Sequence, residues 1–211
     1  MTAPSDPRML VMHGLRLKGF AGPAAVAETV AVPEAEAKVL LDQLVAQELV
    51  TYRDGRLSGF TLTPPGRAEH ARLLSAELDT HGVRDAIKAA YAKFLGLNSG
   101  LLEVCTSWQL REVDGDSTMN DHSDPGYDAG VVDQLAELHG RVHPICEELG
   151  AALARYGHYG PRLVTAIDRV RAGEIDWFTK PMIASYHTVW FELHEDLLAT
   201  LGIERGSEAV G

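Results

Sequence analysis

The densest run of chemically able side chains lies near the end of the chain, in Ser185-Tyr186-His187-Thr188-Val189-Trp190-Phe191-Glu192-Leu193-His194-Glu195-Asp196. On a helix, His187, then Trp190 or Phe191, then His194 fall on one face. Tyr186, Trp190, Leu193 and Leu197 make an adjoining apolar stripe. Two imidazoles beside an indole and a phenol suit a pocket for a small anionic or aromatic ligand. The same stripe suits a core helix, with the rings packed and the imidazoles bonded to backbone. Metal ligation by this pair is disfavoured, because two helical turns separate His187 from His194 by about 10 Å.

Two other pieces carry groups that a pocket would use: Trp108-Gln109-Leu110-Arg111 and Asn120-Asp121-His122. A guanidinium such as Arg111 can grip a carboxylate or phosphate through two parallel hydrogen bonds. The expected ligand-binding set is therefore Trp108, Arg111, His122, Tyr186, His187, Trp190 and His194. Asp114, Asp116, Asp121, Asp124 and Asp128 crowd one polar loop, but their order does not fit a calcium-binding EF-hand. His139 and His143 lie one turn apart without an intervening acid pattern, which reads as structural. No nucleophile elbow, phosphate loop, zincin, dinucleotide or CxxC motif occurs, so no catalytic residue, metal or cofactor is expected. Cys105 and Cys146 are isolated and read as buried thiols.

The elements that must position these groups are mostly helical. Pro7 to Phe20, Pro23 to Thr29 and Pro33 to Glu48 read as three helices, the last with Val39, Leu40, Leu44, Val45 and Leu49 at helical spacing. Leu49 to Arg53 has strand composition, Asp54-Gly55 is a hairpin signal, and Leu57 to Leu62 returns as a second strand. Arg67 to Leu78 follows as a polar amphipathic helix in which His70 is expected to face solvent. Beyond the joint Asp79-Thr80-His81-Gly82, helical patterns cover Val83 to Leu97, Gly100 to Val113, Tyr127 to Tyr156, Pro161 to Arg171 and Met182 to Leu201. Pro144 is expected to kink or split the third of these, and residues 114–126 read as a polar loop. Residues 1–6 read as a polar tail.

The punctuation Leu49-Val50-Thr51-Tyr52-Arg53, Gly55-Arg56 and Phe60-Thr61-Leu62-Thr63-Pro64-Pro65-Gly66-Arg67 closely resembles that of the MarR-type winged-helix family of bacterial regulators. The resemblance implies a winged helix-turn-helix domain with a small β-wing over 1–78; the helical patterns and short loops behind it suggest a helical bundle over 83–205, so the fold is expected to be mainly α. The resemblance also implies double-stranded DNA as partner, with Lys38 and Gln43 on the helix that enters the major groove and Arg53, Arg56 and Arg67 on or beside the wing. WQLR, NDH and SYHTVWFELHEDL resemble a helical C-terminal region of actinobacterial winged-helix proteins and of proteins related to phosphoenolpyruvate-utilising dikinases. That second resemblance implies a sensory or regulatory unit connected with such metabolism.

Charge pulls the other way. The chain of 211 residues has a net charge of −11. Residues 1–75 hold eight basic and eight acidic side chains, so the whole excess of acid falls behind them. Glu34 and Glu36 at the leading turn of the third helix repel phosphates, although they favour the helix through its dipole. A start without a signal-peptide pattern and the lack of a long apolar run point to the cytoplasm and away from membranes. The expectation is a ligand-responsive, homodimeric transcriptional regulator and not an enzyme. The alternative is an accessory module, free of DNA, that binds a phosphoenolpyruvate- or pyruvate-related enzyme.

Overall fold

A computed structural model describes residues 4–113, 115–204 and 206. Residues 1–3 of the polar tail, Asp114 of the acidic loop and residue 205 at the end of the second expected domain lie outside the described residues. The protein is mainly helical, with nine α-helices and two small antiparallel hairpins among the described residues. It divides into two compact units. The first takes residues 4–85 together with 153–155 and 195–204; the second takes 86–152 and 156–194.

The first unit opens with α1 (Pro7–Lys18), whose N-cap Asp6 accepts from the backbone N–H of Arg8 and Met9. Next come α2 (Pro23–Val30) and α3 (Glu34–Ala46). Ala31 at φ 53° closes α2 in the left-handed conformation. Pro33 caps α3 from an extended conformation, one position earlier than the first-turn placement its chemistry suggests. Ala37, Leu41 and Leu44 turn inward from α3 to meet Val11, Met12, Leu15, Val26, Phe60 and Leu62.

Strands β1 (Val50–Arg53) and β2 (Gly59–Leu62) pair antiparallel, with Val50 opposite Leu62 and Arg53 opposite Gly59. The connection is wider than a two-residue turn, because Asp54 Oδ1 accepts from both Gly55 N–H and Ser58 Oγ. Ala21 adds a backbone bridge to Phe60 on the outer side of β2. Helix α4 (Pro64–His81) starts from Thr63, whose hydroxyl accepts from Gly66 N–H and donates to the Glu48 carbonyl. Gly82, at φ 64°, stops it.

The second unit corrects two expectations. Helix α5 (Arg84–Gln109) is continuous where two helices were expected. Gly96 and Gly100 weaken but do not break it, because Phe94, Leu97, Leu101 and Val104 keep one buried face across them. Its expected last turn, Leu110 to Val113, is instead strand β3 (Leu110–Val113), which forms a second hairpin with β4 (Asp116–Met119) from the expected loop, Leu110 pairing with Met119. Helix α6 (Pro125–Ala152) runs through Pro144 without being split, because Leu138, Val142, Ile145 and Leu149 keep one buried face across it. A short 3-10 turn (Ala154–His158), α7 (Tyr159–Arg171), the one-turn α8 (Asp176–Thr179) and α9 (Tyr186–Leu201) complete the chain. No described helix is long and apolar enough to cross a membrane.

Candidate functional site

Three places gather side chains able to recognise something: the outer face of α3 with its hairpin, a cavity at the end of α5, and a buried charge cluster in the first unit. With its apolar face committed to the core, α3 presents Glu34, Glu36, Lys38, Val39, Asp42 and Gln43 to solvent. Arg53 and Arg56 are exposed on the hairpin, and the Arg53 guanidinium lies over the Phe20 ring at 4.7 Å. Arg67 is otherwise engaged: its Nη1 donates to the Leu62 carbonyl at 3.0 Å, tying the end of β2 to α4. From Glu34 to Ser58 all the charged side chains are exposed, five acidic and three basic. Val39, Tyr52 and Leu57 are exposed among them, Leu57 at 73%.

The seven expected ligand residues do not converge. They form two groups. Trp108 stacks on Phe178 with centroids 4.3 Å apart, and the His122 ring lies 4.5 Å from its own. Buried Asn120 braces the pair: its Nδ2 donates to the Trp108 carbonyl at 3.1 Å and to Asp128 Oδ1 at 2.8 Å, while its Oδ1 accepts from His122 N–H. His122 Nδ1 lies 3.0 Å from Asp128 Oδ2, which leaves Nε2 as the nitrogen available to a ligand. His122 takes a left-handed φ of 59° to reach this place. A cavity of about 180 Å³ opens here, with Trp108, Met119, His122, Ile175, Thr179 and Lys180 in its wall. Arg111 is drawn to the acidic loop instead, with Nη2 3.4 Å from Asp121 Oδ1 and Nη1 3.9 Å from Asp124 Oδ2. Hydrogen bonds from Ser123, then the Arg111 charge, hold the Asp121 carboxyl below its ordinary range.

Tyr186, Trp190 and His194 belong to the packed interior. Trp190 Nε1 donates to Asn98 Oδ1 at 3.1 Å, and its ring meets Phe94 at 4.6 Å. His194 sits against Phe94 and Tyr91. The Tyr186 hydroxyl lies 3.3 Å from His139 Nδ1, and burial pushes its ionisation up. His187 is half-buried, and burial depresses its proton affinity. The reason for the split is axial. Asn98 and Trp108 are ten residues apart on α5, about 15 Å along its axis, so side chains of α9 that meet the first do not reach the second. Cys105 and Cys146 are buried free thiols, and burial pushes each up to about 12.

The third place was not legible in the sequence. His70 is buried, not solvent-facing, and its Nε2 shares a hydrogen bond of 3.1 Å with Nδ1 of buried His13. His13 Nε2 lies 3.0 Å from Asp196 Oδ1. Arg155 joins the same carboxylate through Nη1 at 2.6 Å, Glu77 Oε2 through Nε at 3.0 Å, and Thr200 Oγ1 through Nη2 at 2.7 Å. Burial, then the His13 charge, lowers the His70 imidazole to about 3. Burial alone would raise Asp196, but His13 and Arg155 outweigh it and hold the carboxyl well below its ordinary value. Among the described residues, no group of three or more His, Cys, Asp or Glu side chains is placed to hold a metal ion.

No protein-family model, curated protein or solved structure matches the chain.

Proposed function

We propose that the protein is a ligand-responsive transcriptional regulator that binds double-stranded DNA through a winged helix formed by α1 to α4 with the β1–β2 hairpin. One observation carries the reading: α3 buries one face and leaves Lys38 and Gln43 exposed on the other, while the hairpin leaves Arg53 and Arg56 exposed. A helix held in this way is suited to a major groove, with the wing against the flanking phosphates. Homodimerisation through the helices of 83–205 would pair two such helices on a palindrome, in the cytoplasm. The cavity beside Trp108 and His122 is the proposed place for a small anionic or aromatic effector, which Lys180 and His122 can meet with N–H donors.

The test is binding to fragments of the protein's own promoter region at low and rising salt. Affinity is expected to fall steeply as salt rises, and Arg53→Ala with Arg56→Ala to weaken binding on all sequences alike. A genomic selection at low salt that recovers no fragment would sink the proposal.

A second reading has its own support. The excess of acid on this face, with Val39, Tyr52 and Leu57 exposed, suits a protein partner better than a phosphate backbone. On that reading the module docks on a phosphoenolpyruvate- or pyruvate-related enzyme. Leu57→Asp would then abolish the association and leave any DNA affinity unchanged.

A further inference from the structure

The cavity beside Trp108 lies wholly within the second unit and offers an acid, a base and a fixed lone pair to whatever enters it. The lone pair belongs to His122. Both protons of Asn120 Nδ2 are spent, one on the Trp108 carbonyl and one on Asp128 Oδ1. Asn120 therefore cannot also donate to His122 Nδ1, 3.3 Å away, and that nitrogen carries its own proton to Asp128 Oδ2. In the neutral ring Nε2 is then an acceptor, in reach of solvent and without a partner among the described residues. His122 holds this orientation from a left-handed φ, which costs a non-glycine residue energy.

The charges come from a single turn of chain. Asp176 and Lys180 pair with each other in the wall, their side chains 58% and 52% exposed. So exposed a pair is held weakly, and a ligand carrying both charges can give each partner a replacement. Thr179 adds a hydroxyl with no partner among the described residues. Met119 and Ile175 supply exposed apolar surface. At about 180 Å³ the cavity is smaller than the roughly 300 Å³ at which pockets for drug-sized ligands begin. A simple carboxylate would leave Asp176 and the neutral Nε2 opposed to it, and a simple amine would leave Lys180 so. In an α-amino acid the two charges stand on neighbouring groups, as they do in the pair.

We propose that this cavity binds an aliphatic α-amino acid. Its ammonium donates to His122 Nε2 and Asp176, its carboxylate accepts from Lys180 and the Thr179 hydroxyl, and its side chain lies against Met119 and Ile175. The proposal rests on the reading of this cavity as the effector site and names the effector.

The experiment follows the Trp108 indole N–H signal of the full-length, ¹⁵N-labelled protein during four titrations at equal ionic strength. The titrants are L-leucine, sodium 4-methylpentanoate, 3-methylbutylammonium chloride and sodium benzoate. A saturable shift is expected with leucine, and affinities at least about tenfold lower with 4-methylpentanoate and 3-methylbutylammonium, each of which lacks one charged group. Lys180→Ala and Asp176→Asn change exposed side chains, so the fold should be kept while each weakens leucine binding at least about tenfold. Leucine affinity unchanged in both variants, or matched by 3-methylbutylammonium, would overturn the proposal. Equal or tighter binding of 4-methylpentanoate or benzoate would overturn it too, while leaving the cavity as a site for a small anionic or aromatic effector. No saturable shift with any titrant would overturn both.

Discussion

At the scale of single residues, His70 and Asp196 make the first unit sensitive to acid. The His70 imidazole titrates at about 3 in the fold against an ordinary 6.5, so the unfolded chain takes its proton first. Its contribution is complete above pH 6.5 and is lost as pH falls toward 3. Between pH 7 and pH 5 this amounts to about 2 kcal/mol. Burial lowers His139 and His187 as well, with the same sign, so the measurement must isolate His70. Urea unfolding at pH 7 and pH 5 should show a smaller loss of stability in His70→Gln than in the parent, by about that amount. An equal slope in both would contradict the assignment. Asp196 acts in a lower window, below about pH 4, where its carboxyl must take a proton to unfold. Asp196→Ala leaves buried Arg155 and His13 without their shared carboxylate and should cost about 3–5 kcal/mol at pH 7 by denaturant unfolding.

At the scale of elements, the hairpin and α4 are joined by a close approach that only glycine permits. A Cβ on Gly66 would stand 1.9 Å from the Leu49 carbonyl oxygen, a backbone atom that no rotamer change can move away. Gly66→Ala should therefore destabilise the first unit by about 3 kcal/mol, read as a lower urea midpoint. It should also weaken whatever the hairpin face binds, since Thr63 and Arg67 fasten the segment entering β1 and the end of β2 to the start of α4. The Arg53 and Arg56 side chains are exposed, so Arg53→Ala with Arg56→Ala should leave stability within about 0.5 kcal/mol of the parent. That contrast separates loss of a surface from loss of the fold behind it.

At the scale of the whole molecule, the first unit is not a contiguous stretch of chain. Glu77 and His13 lie in its N-terminal part, whereas Arg155, Asp196 and Thr200 arrive from much later in sequence. A fragment of residues 1–82 would keep the apolar core around Val11, Leu41 and Phe60 but strand Glu77 and the two imidazoles. It should unfold at a markedly lower urea concentration than the full chain, and its helical signal at pH 7 should fall accordingly. Equal stability would show that the buried ion cluster contributes nothing net. For the proposed homodimer, light scattering of the full chain should give twice the chain mass of 22.9 kDa.

What the sequence determined by itself was whatever depends on neighbours a few residues away. Helical spacing located α1 to α4, α6, α7 and α9 to within a few residues; the switch to strand composition at Leu49 and the Asp54-Gly55 signal located the β1–β2 hairpin. Isolated cysteines in apolar surroundings were legible as buried thiols. Three matters were decided only by tertiary structure. Gly96 and Gly100 read as a helix break, but a buried face common to both halves of α5 outweighs their weak propensity. The β3–β4 hairpin carries no alternation to announce it; β4 is exposed throughout, and backbone pairing is what forms it. The bulky polar residues of α9 and of the α5 end look alike in sequence, yet α5 sets Asn98 and Trp108 apart along its axis and sends them to different surroundings. His70 shows the physical reason most plainly. Its helix is polar on most sides, and nothing local distinguishes it from a solvated histidine. Only His13, reached across 57 residues of chain, gives it a partner in a buried site.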